Sequence, residues 1–185
     1  IIGCGRIRSV HARALTETLP LVDLVLADVE PSRAIDLANR VGAHAVDIAD
    51  IWDRPNLCAV AICSSTTTHV DYICAAAEAG VAVFCEKPVS LDLDEVDRAV
   101  RTVTDSDIPF MVGFHKRFAP TPQTTKQADV DGRGGEGPLL RSTGREQQHP
   151  PRDSRTVSGG SFLAMTLPDF DLARCPGDAP VRATL

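Results

Sequence analysis

Through the first 113 residues, short apolar runs alternate with stretches in which apolar residues recur every three or four positions. The first pattern is that of strands buried on both faces, the second that of amphipathic helices. Ile1 and Ile2 run into Gly3-Cys4-Gly5-Arg6-Ile7-Arg8, after which Ile7, Val10 and Ala14 hold helical spacing. Leu24 to Ala27 predicts a strand ending at Asp28. Pro31 suits a first helical turn, Ala34, Leu37, Ala38 and Val41 form one stripe, and Gly42 closes that helix. Ala43 to Val46 is a weak strand and Leu57 to Ile62 a stronger one. A Ser/Thr cluster then caps a helix that turns Val70, Ile73, Cys74 and Ala77 inward before Gly80. Val81 to Cys85 is a further strand. Asp92 with Glu95 reads as a capping box opening a helix with Val96, Ala99, Val100 and Val103 on one face, and Ile108 to Val112 completes a set of six strands. Strands and helices alternating in this way predict an α/β fold with a doubly wound parallel sheet and right-handed crossovers.

After Phe118 the pattern lapses. Residues 119–155 are rich in Pro, Gly, Gln and Thr, with Gly132-Arg133-Gly134-Gly135-Glu136-Gly137-Pro138 near the centre, and read as a linker or poorly ordered segment. Apolar pattern returns from Phe162 to Ala173 as one helix. The expected organisation is a doubly wound α/β domain over 1–118, the linker over 119–155 and part of a second domain over 156–185. A chain of 185 residues has room for one domain and part of another.

Composition narrows the classes of function. With 43% apolar and 24% charged residues and no apolar run of membrane-spanning length, the chain reads as a globular cytoplasmic protein. A net charge of −6 leaves no basic stripe to track phosphates, which disfavours nucleic acid and anionic membranes as partners. The six cysteines lie mostly inside apolar runs, without Cys-x-x-Cys pairs or histidines at zinc spacing, and read as buried reduced thiols rather than metal ligands.

The chemistry collects where strands end. Gly3 to Arg8, Asp28, Ser64 to His69, Lys87 and His115 to Arg117 each follow an apolar run, and in an open parallel sheet the carboxyl ends of strands border the ligand crevice. Gly3 allows a tight turn, Gly5 lets backbone approach a pyrophosphate, and the helix that follows offers unpaired N–H groups and a partial positive charge. Arg8 replaces the third glycine of the fingerprint, which normally lets helix and strand pack closely. Asp28, about 20 residues on, would accept hydrogen bonds from an adenosine ribose and repel a 2′-phosphate, so NAD is preferred over NADP. Asp28 also reads as a helix cap ahead of Pro31. Lys87, at the end of Val81-Ala82-Val83-Phe84-Cys85-Glu86-Lys87-Pro88, would face ligand; read alone, it is equally a solvated loop lysine beside a turn-fixing proline.

Taken together, Gly3-Cys4-Gly5-Arg6-Ile7 with His11, Asp28, Thr67-Thr68-His69, Glu86-Lys87-Pro88 and Gly113-Phe114-His115-Lys116-Arg117-Phe118 resemble the amino-terminal half of the Gfo/Idh/MocA oxidoreductases. The resemblance implies a Rossmann domain that binds NAD(P) and a second α/β domain that completes the substrate site and the oligomer contacts. It implies hydride transfer between nicotinamide and a polyol or sugar hydroxyl, of the myo-inositol kind, with a homo-oligomer if the carboxy-terminal segment folds. Lys87 would then hydrogen-bond the substrate hydroxyl as the catalytic lysine. The cofactor would be held by Gly3, Gly5, Arg6, Ile7, Asp28, Ser64, Thr67, His69, Glu86, Lys87 and Pro88, with Lys87-Pro88 as a cis peptide.

The departures from the family pattern lie in Gly159 to Asp171. This segment resembles one that carries an aspartate and, four residues later, a catalytic histidine, but those places hold Ala164 and Pro168. Neither exchanges a proton, and losing a positioned base typically removes about 10²–10⁴-fold in rate. Pro168 is expected to break the helix. Asp169, Asp171 or His115 could substitute only if the backbone shifts. A family member would also continue well beyond Leu185, so 119–185 is expected to be mobile, to pack irregularly on the Rossmann half or to be completed by another chain. The alternative to a dehydrogenase is therefore an inactive nucleotide-binding remnant.

Overall fold

The computed structural model describes residues 1–4, 6–133 and 160–174, the side chains of 6–8 and 160–165 excepted. The chain divides into two units, Ile1–Gly113 and Phe114–Leu185.

The first unit alternates helix and strand. Helix α1 spans Arg6–Thr18, β1 Val25–Leu26, α2 Pro31–Val41, β2 His44–Ala45, β3 Ala59–Ile62, α3 His69–Glu78, β4 Ala82–Cys85, α4 Leu93–Ser106 and β5 Phe110–Val112. Every strand pairing is parallel: β1 with β2, β3 with β4, and β4 with β5. The first predicted strand, at Ile1 and Ile2, is only a bridge. Ile2 pairs with Ala27 on one side and Ile62 on the other, and so joins the two groups of strands. Its backbone N–H donates to the Ala61 carbonyl, and its own carbonyl accepts from Cys63, both at 2.9 Å. Gly3 N–H donates to Ala27 at 2.7 Å. The order across the sheet is thus β2, β1, the Ile1–Gly3 stub, β3, β4, β5. It reverses at the stub, where ligands of open α/β sheets bind.

Alternation along the strands divides the core between the two faces. Ile2, Ala27, Val60, Ile62, Val83 and Cys85 pack with Val70, Ile73 and Ala76 of α3 and Ala99 and Val103 of α4. On the other face, Ile1, Leu26 and Cys63 pack with Ala12 of α1 and Ala34, Leu37 and Ala38 of α2. The stripe on α1 differs from the expected one. Val10 is largely exposed and Ala12 is fully buried, because the helix docks on its small residue. On α4, Val100 is likewise exposed. Asp92 does cap α4, accepting from Asp94 N–H at 2.9 Å, but Glu95 is taken by Arg98, so the reciprocal half of the capping box is missing. The Ser/Thr cluster makes a 3₁₀ turn over Thr66–Thr68, and no side-chain cap is formed on α3. Gly42 ends α2 in the left-handed conformation, as its helix-stop position requires.

The second unit begins with a 3₁₀ turn at His115–Phe118, then α5 at Pro120–Val130, and later α6 at Gly160–Arg174. Helix α5 lies in the stretch read as linker. Its first-turn proline is preset for a helix, and with no buried residue it gives no apolar periodicity to detect. Helix α6 covers the predicted Phe162–Ala173 and, against expectation, continues through Pro168. A proline φ is helical, so the loss is one hydrogen bond and some crowding at the preceding turn. Residues 134–159 and 175–185 lie outside the described residues. No helix among the described residues is long and apolar enough to cross a membrane.

Gly3 has φ +96°, and a Cβ placed on it would lie 2.8 Å from the Cys63 carbonyl oxygen and 2.9 Å from Ser64 N. Gly80 shares a positive φ but has open space around it. Gly80→Ala is therefore expected to lower stability by about 1 kcal/mol, the ordinary left-handed penalty. Gly3→Ala adds a clash with backbone, for a loss on the order of 3 kcal/mol. Urea unfolding midpoints of the two variants check the order.

Candidate dinucleotide site

The site is built where the strands end beside the stub. Asp28 follows β1 and is buried. Its carboxylate accepts from Cys4 N–H of the glycine turn at 2.6 Å and from Glu30 N–H at 2.9 Å. Glu30 is the residue that precedes α2, and its side chain makes no cap. Asp28 thus ties the glycine turn to the start of α2 rather than capping the helix. Gly3 and Asp28 are adjacent in space. Gly5 lies outside the described residues, as do the side chains of Arg6, Ile7 and Arg8, although Arg6 and Ile7 open α1.

After β3, Ser64 shares a hydroxyl contact of 2.7 Å with Thr68. His69 is almost fully buried at 2% exposure. Its Nδ1 faces the Pro88 carbonyl at 2.8 Å and its Nε2 the Ser64 carbonyl at 3.1 Å. A neutral ring donates to one of these carbonyls and an imidazolium to both. Either way His69 fastens the end of β3 to the turn after β4, with its polar atoms turned to backbone. Thr67 is exposed and borders a recess with Asp71, Ser90, Asp92 and Glu95, an acidic surround that does not suit a pyrophosphate.

Lys87 follows β4 in a turn with a cis Lys87-Pro88 peptide. Glu86 N–H donates to Ile62 at 2.9 Å, and the Glu86 carboxylate accepts Lys87 N–H at 3.1 Å. The other Glu86 oxygen lies 2.7 Å from Nε2 of His11 on α1. The structure therefore brings Gly3, Asp28, Ser64, His69, Glu86, Lys87 and Pro88 to one rim of the first unit, with Thr67 beside its own recess. A cavity of about 760 Å³ lies toward the other ends of the strands. Leu24, Ala59, Ala82 and Phe110, at the opposite ends of the strands, line it together with polar His11, Asp23, Arg54 and Asn56.

Sequence reasoning gave no role to His11, Tyr72 or Gly113. His11 was marked only by the family resemblance and by its place on the helix that follows the glycine turn. The Tyr72 phenol is pushed above its ordinary range, first by burial and then by the charges of Asp28 and Asp71. Gly113 N–H donates to the Cys85 carbonyl at 2.8 Å, and a Cβ there would lie 3.0 Å from the Phe84 ring and 3.3 Å from the Glu86 carboxylate.

In the second unit, Lys116 Nζ donates to Asp169 at 3.0 Å, and Arg117 grips both oxygens of buried Asp171. These pairs hold the 3₁₀ turn to α6 just past Pro168. Both aspartates considered as substitute bases are thereby engaged by cations, while His115 is exposed. Among the described residues no cluster of His, Cys, Asp and Glu is arranged to hold a metal.

A parallel sheet whose order reverses beside a glycine turn, with a buried aspartate after the next strand, defines a dinucleotide-binding domain of the Rossmann type. Residues 1–114 match the profile of the Gfo/Idh/MocA oxidoreductases, a family with an NAD-binding Rossmann fold. The chain belongs to that family. It is 39% identical over 185 residues to inositol 2-dehydrogenase of Rhizobium meliloti (strain 1021), covering 100% of this chain and 56% of that one. It is 38% identical to myo-inositol 2-dehydrogenase of Thermotoga maritima, covering 94% of this chain and 53% of that one. Among solved structures, a putative myo-inositol dehydrogenase from Sinorhizobium meliloti 1021 superposes with a TM-score of 0.91 at 39% identity, over 97% of this chain and 55% of that one. A scyllo-inositol dehydrogenase from Lactobacillus casei, solved with bound NAD(H) and scyllo-inositol, has a TM-score of 0.79 at 23% identity and shares the fold, over 96% of this chain and 55% of that one. The chain spans about half the length of the curated relatives it matches.

Cys85, at the end of β4 beside Glu86, has no exposure to solvent. Burial pushes its thiol well up, and Cys63 and Glu86 add to the shift. The folded chain keeps this proton while the unfolded chain releases it, so the contribution to stability is complete below the ordinary thiol range and is lost as pH rises above about 8.5. The urea midpoint of the parent is expected to fall between pH 7.5 and 10, and less steeply in Cys85→Ala. Thiol alkylation at pH 8 should mark exposed Cys58 well before Cys85, as peptide mapping would resolve.

Proposed function

We propose that this chain is the dinucleotide-binding half of an NAD-dependent oxidoreductase that moves hydride between nicotinamide and a polyol hydroxyl of the inositol kind. The observation that carries the reading is the Asp28 carboxylate, held against the glycine turn at the point where the strand order reverses. Gly3 and the start of α1 fit a pyrophosphate, and buried Asp28 fits a ribose diol while opposing a 2′-phosphate, so NAD is preferred over NADP. The inositol dehydrogenases among its relatives support the substrate class. When bound, nicotinamide exchanges hydride with the carbinol carbon. The chain's part is to bind and to orient: Asp28 fixes the adenosine end, and Lys87 donates to the substrate hydroxyl from a turn braced by Glu86 and His69.

A second reading, binding without turnover, is favoured by one feature. Oxidation of an alcohol needs an acceptor for the hydroxyl proton. The two family positions for it hold Ala164 and Pro168, and both neighbouring aspartates are ion-paired. A polyol substrate and oligomer contacts would both draw on a second domain, which this chain covers only in part.

Calorimetric titration with NAD and, separately, NADP tests the core of the proposal. Saturable binding with NAD preferred supports it, and absence of binding to either overturns it. Where turnover is measurable, Lys87→Ala should abolish it, by at least about 10²-fold, while leaving NAD affinity nearly unchanged. Activity that survives would remove Lys87 from its role. In the double variant Ala164→Asp with Pro168→His, hydride transfer followed at 340 nm should rise if the missing base is limiting. No gain would show that the base is not what limits the reaction.

A further inference from the structure

Glu86 is the hub of an arrangement that cofactor contact alone does not explain. Its Oε1 lies 2.7 Å from His11 Nε2, and its Oε2 accepts the backbone N–H of Lys87 at 3.1 Å. A carboxylate only accepts, so His11 carries its proton on Nε2 and donates. The pair is largely sheltered, with side-chain exposures of 28% for His11 and 14% for Glu86. A hydrogen bond to a charged group is strengthened by such shelter. The imidazole is also set edge-on to the Phe84 ring, with centroids 5.3 Å apart. Room for the Glu86 carboxylate depends on Gly113, where a Cβ would lie 3.3 Å from it. The carboxylate is therefore placed from several sides, with one oxygen committed to α1 and the other to the lysine turn.

We infer that His11 and Glu86 are a positioning pair, which couples the helix behind the glycine turn to the Lys87 turn so that the cofactor loop and the lysine hold one fixed spacing. The inference rests on the reading of this rim as a dinucleotide site. His11 touches neither reacting atom in this role; it acts through Glu86 on the backbone of Lys87.

The test uses His11→Phe, which keeps a ring against Phe84 but loses the donor, and His11→Gln, whose amide N–H takes the place of Nε2–H. One readout is independent of NAD: the rate at which an amine-reactive acylating reagent labels Lys87, relative to exposed Lys126 in the same sample. His11→Phe is expected to change that ratio by at least about threefold and His11→Gln to restore it, with melting temperatures near the parent value. The other readout is NAD titration, where His11→Phe should weaken binding about tenfold and His11→Gln should recover most of the loss. An unchanged Lys87 labelling ratio in His11→Phe overturns the pairing. If His11→Phe fails to fold, Glu86→Gln replaces it, with the same expected change and the same overturning result. A parent chain that binds no NAD while its labelling ratio still responds would instead reject the dinucleotide reading and leave the coupling intact.

Discussion

Parallel strands hold together only through their neighbours, and here the two groups of strands meet at three residues. Ile1 to Gly3 supply backbone partners to Ala27 on one side and to Ala61 and Cys63 on the other. Ile1 and Ile2 enter opposite core clusters, so the same short segment also seeds the packing of both helical layers. Full burial of one isoleucine is worth about 1.5–3 kcal/mol, and each of the two contributes on its own face of the sheet. Gly3 then has to be a glycine because the end of β3 passes directly against it. Sheet continuity and the shape of the nucleotide turn are the same constraint seen from two sides.

From that junction outward, the rim is braced by polar contacts between elements far apart in sequence. Asp28 ties the glycine turn to α2, His69 ties β3 to the turn after β4, and Glu86 ties that turn to α1. Each contact has at least one charged or buried member, the circumstance in which a hydrogen bond contributes more than the usual ~1 kcal/mol. A loop lysine without such braces would sample many orientations. Lys87 instead leaves a turn whose backbone is held by the carboxylate before it and by a histidine on the proline after it.

The periodicity of the sequence carried the alternation of elements, the parallel sheet and the rim at which its polar residues collect. It placed the strands too generously at their ends, because hydrophobicity continues past the last paired residue. Small residues misled it: Ala12 is the buried contact of α1, while the more conspicuous Val10 faces outward. Helix α5 left no trace because it buries nothing, and α6 continues through Pro168 where local propensity argued for a stop. Just past that proline, Asp169 and Asp171 pair with Lys116 and Arg117, contacts that local propensity does not register. The contact between His11 and Glu86 spans 75 positions, a separation at which no spacing rule operates.

The arrangement of Asp28 bears on how a ligand would be sorted. Its two oxygens are already fixed by backbone donors, so the side chain has no alternative rotamer that keeps both bonds. A vicinal diol arriving beside it would find acceptor lone pairs aimed in advance and would lose little further freedom on meeting them. An additional anion arriving there would meet a charge that cannot swing aside. The carboxylate is thus held rigidly, and turning it would require breaking its tether to the glycine turn.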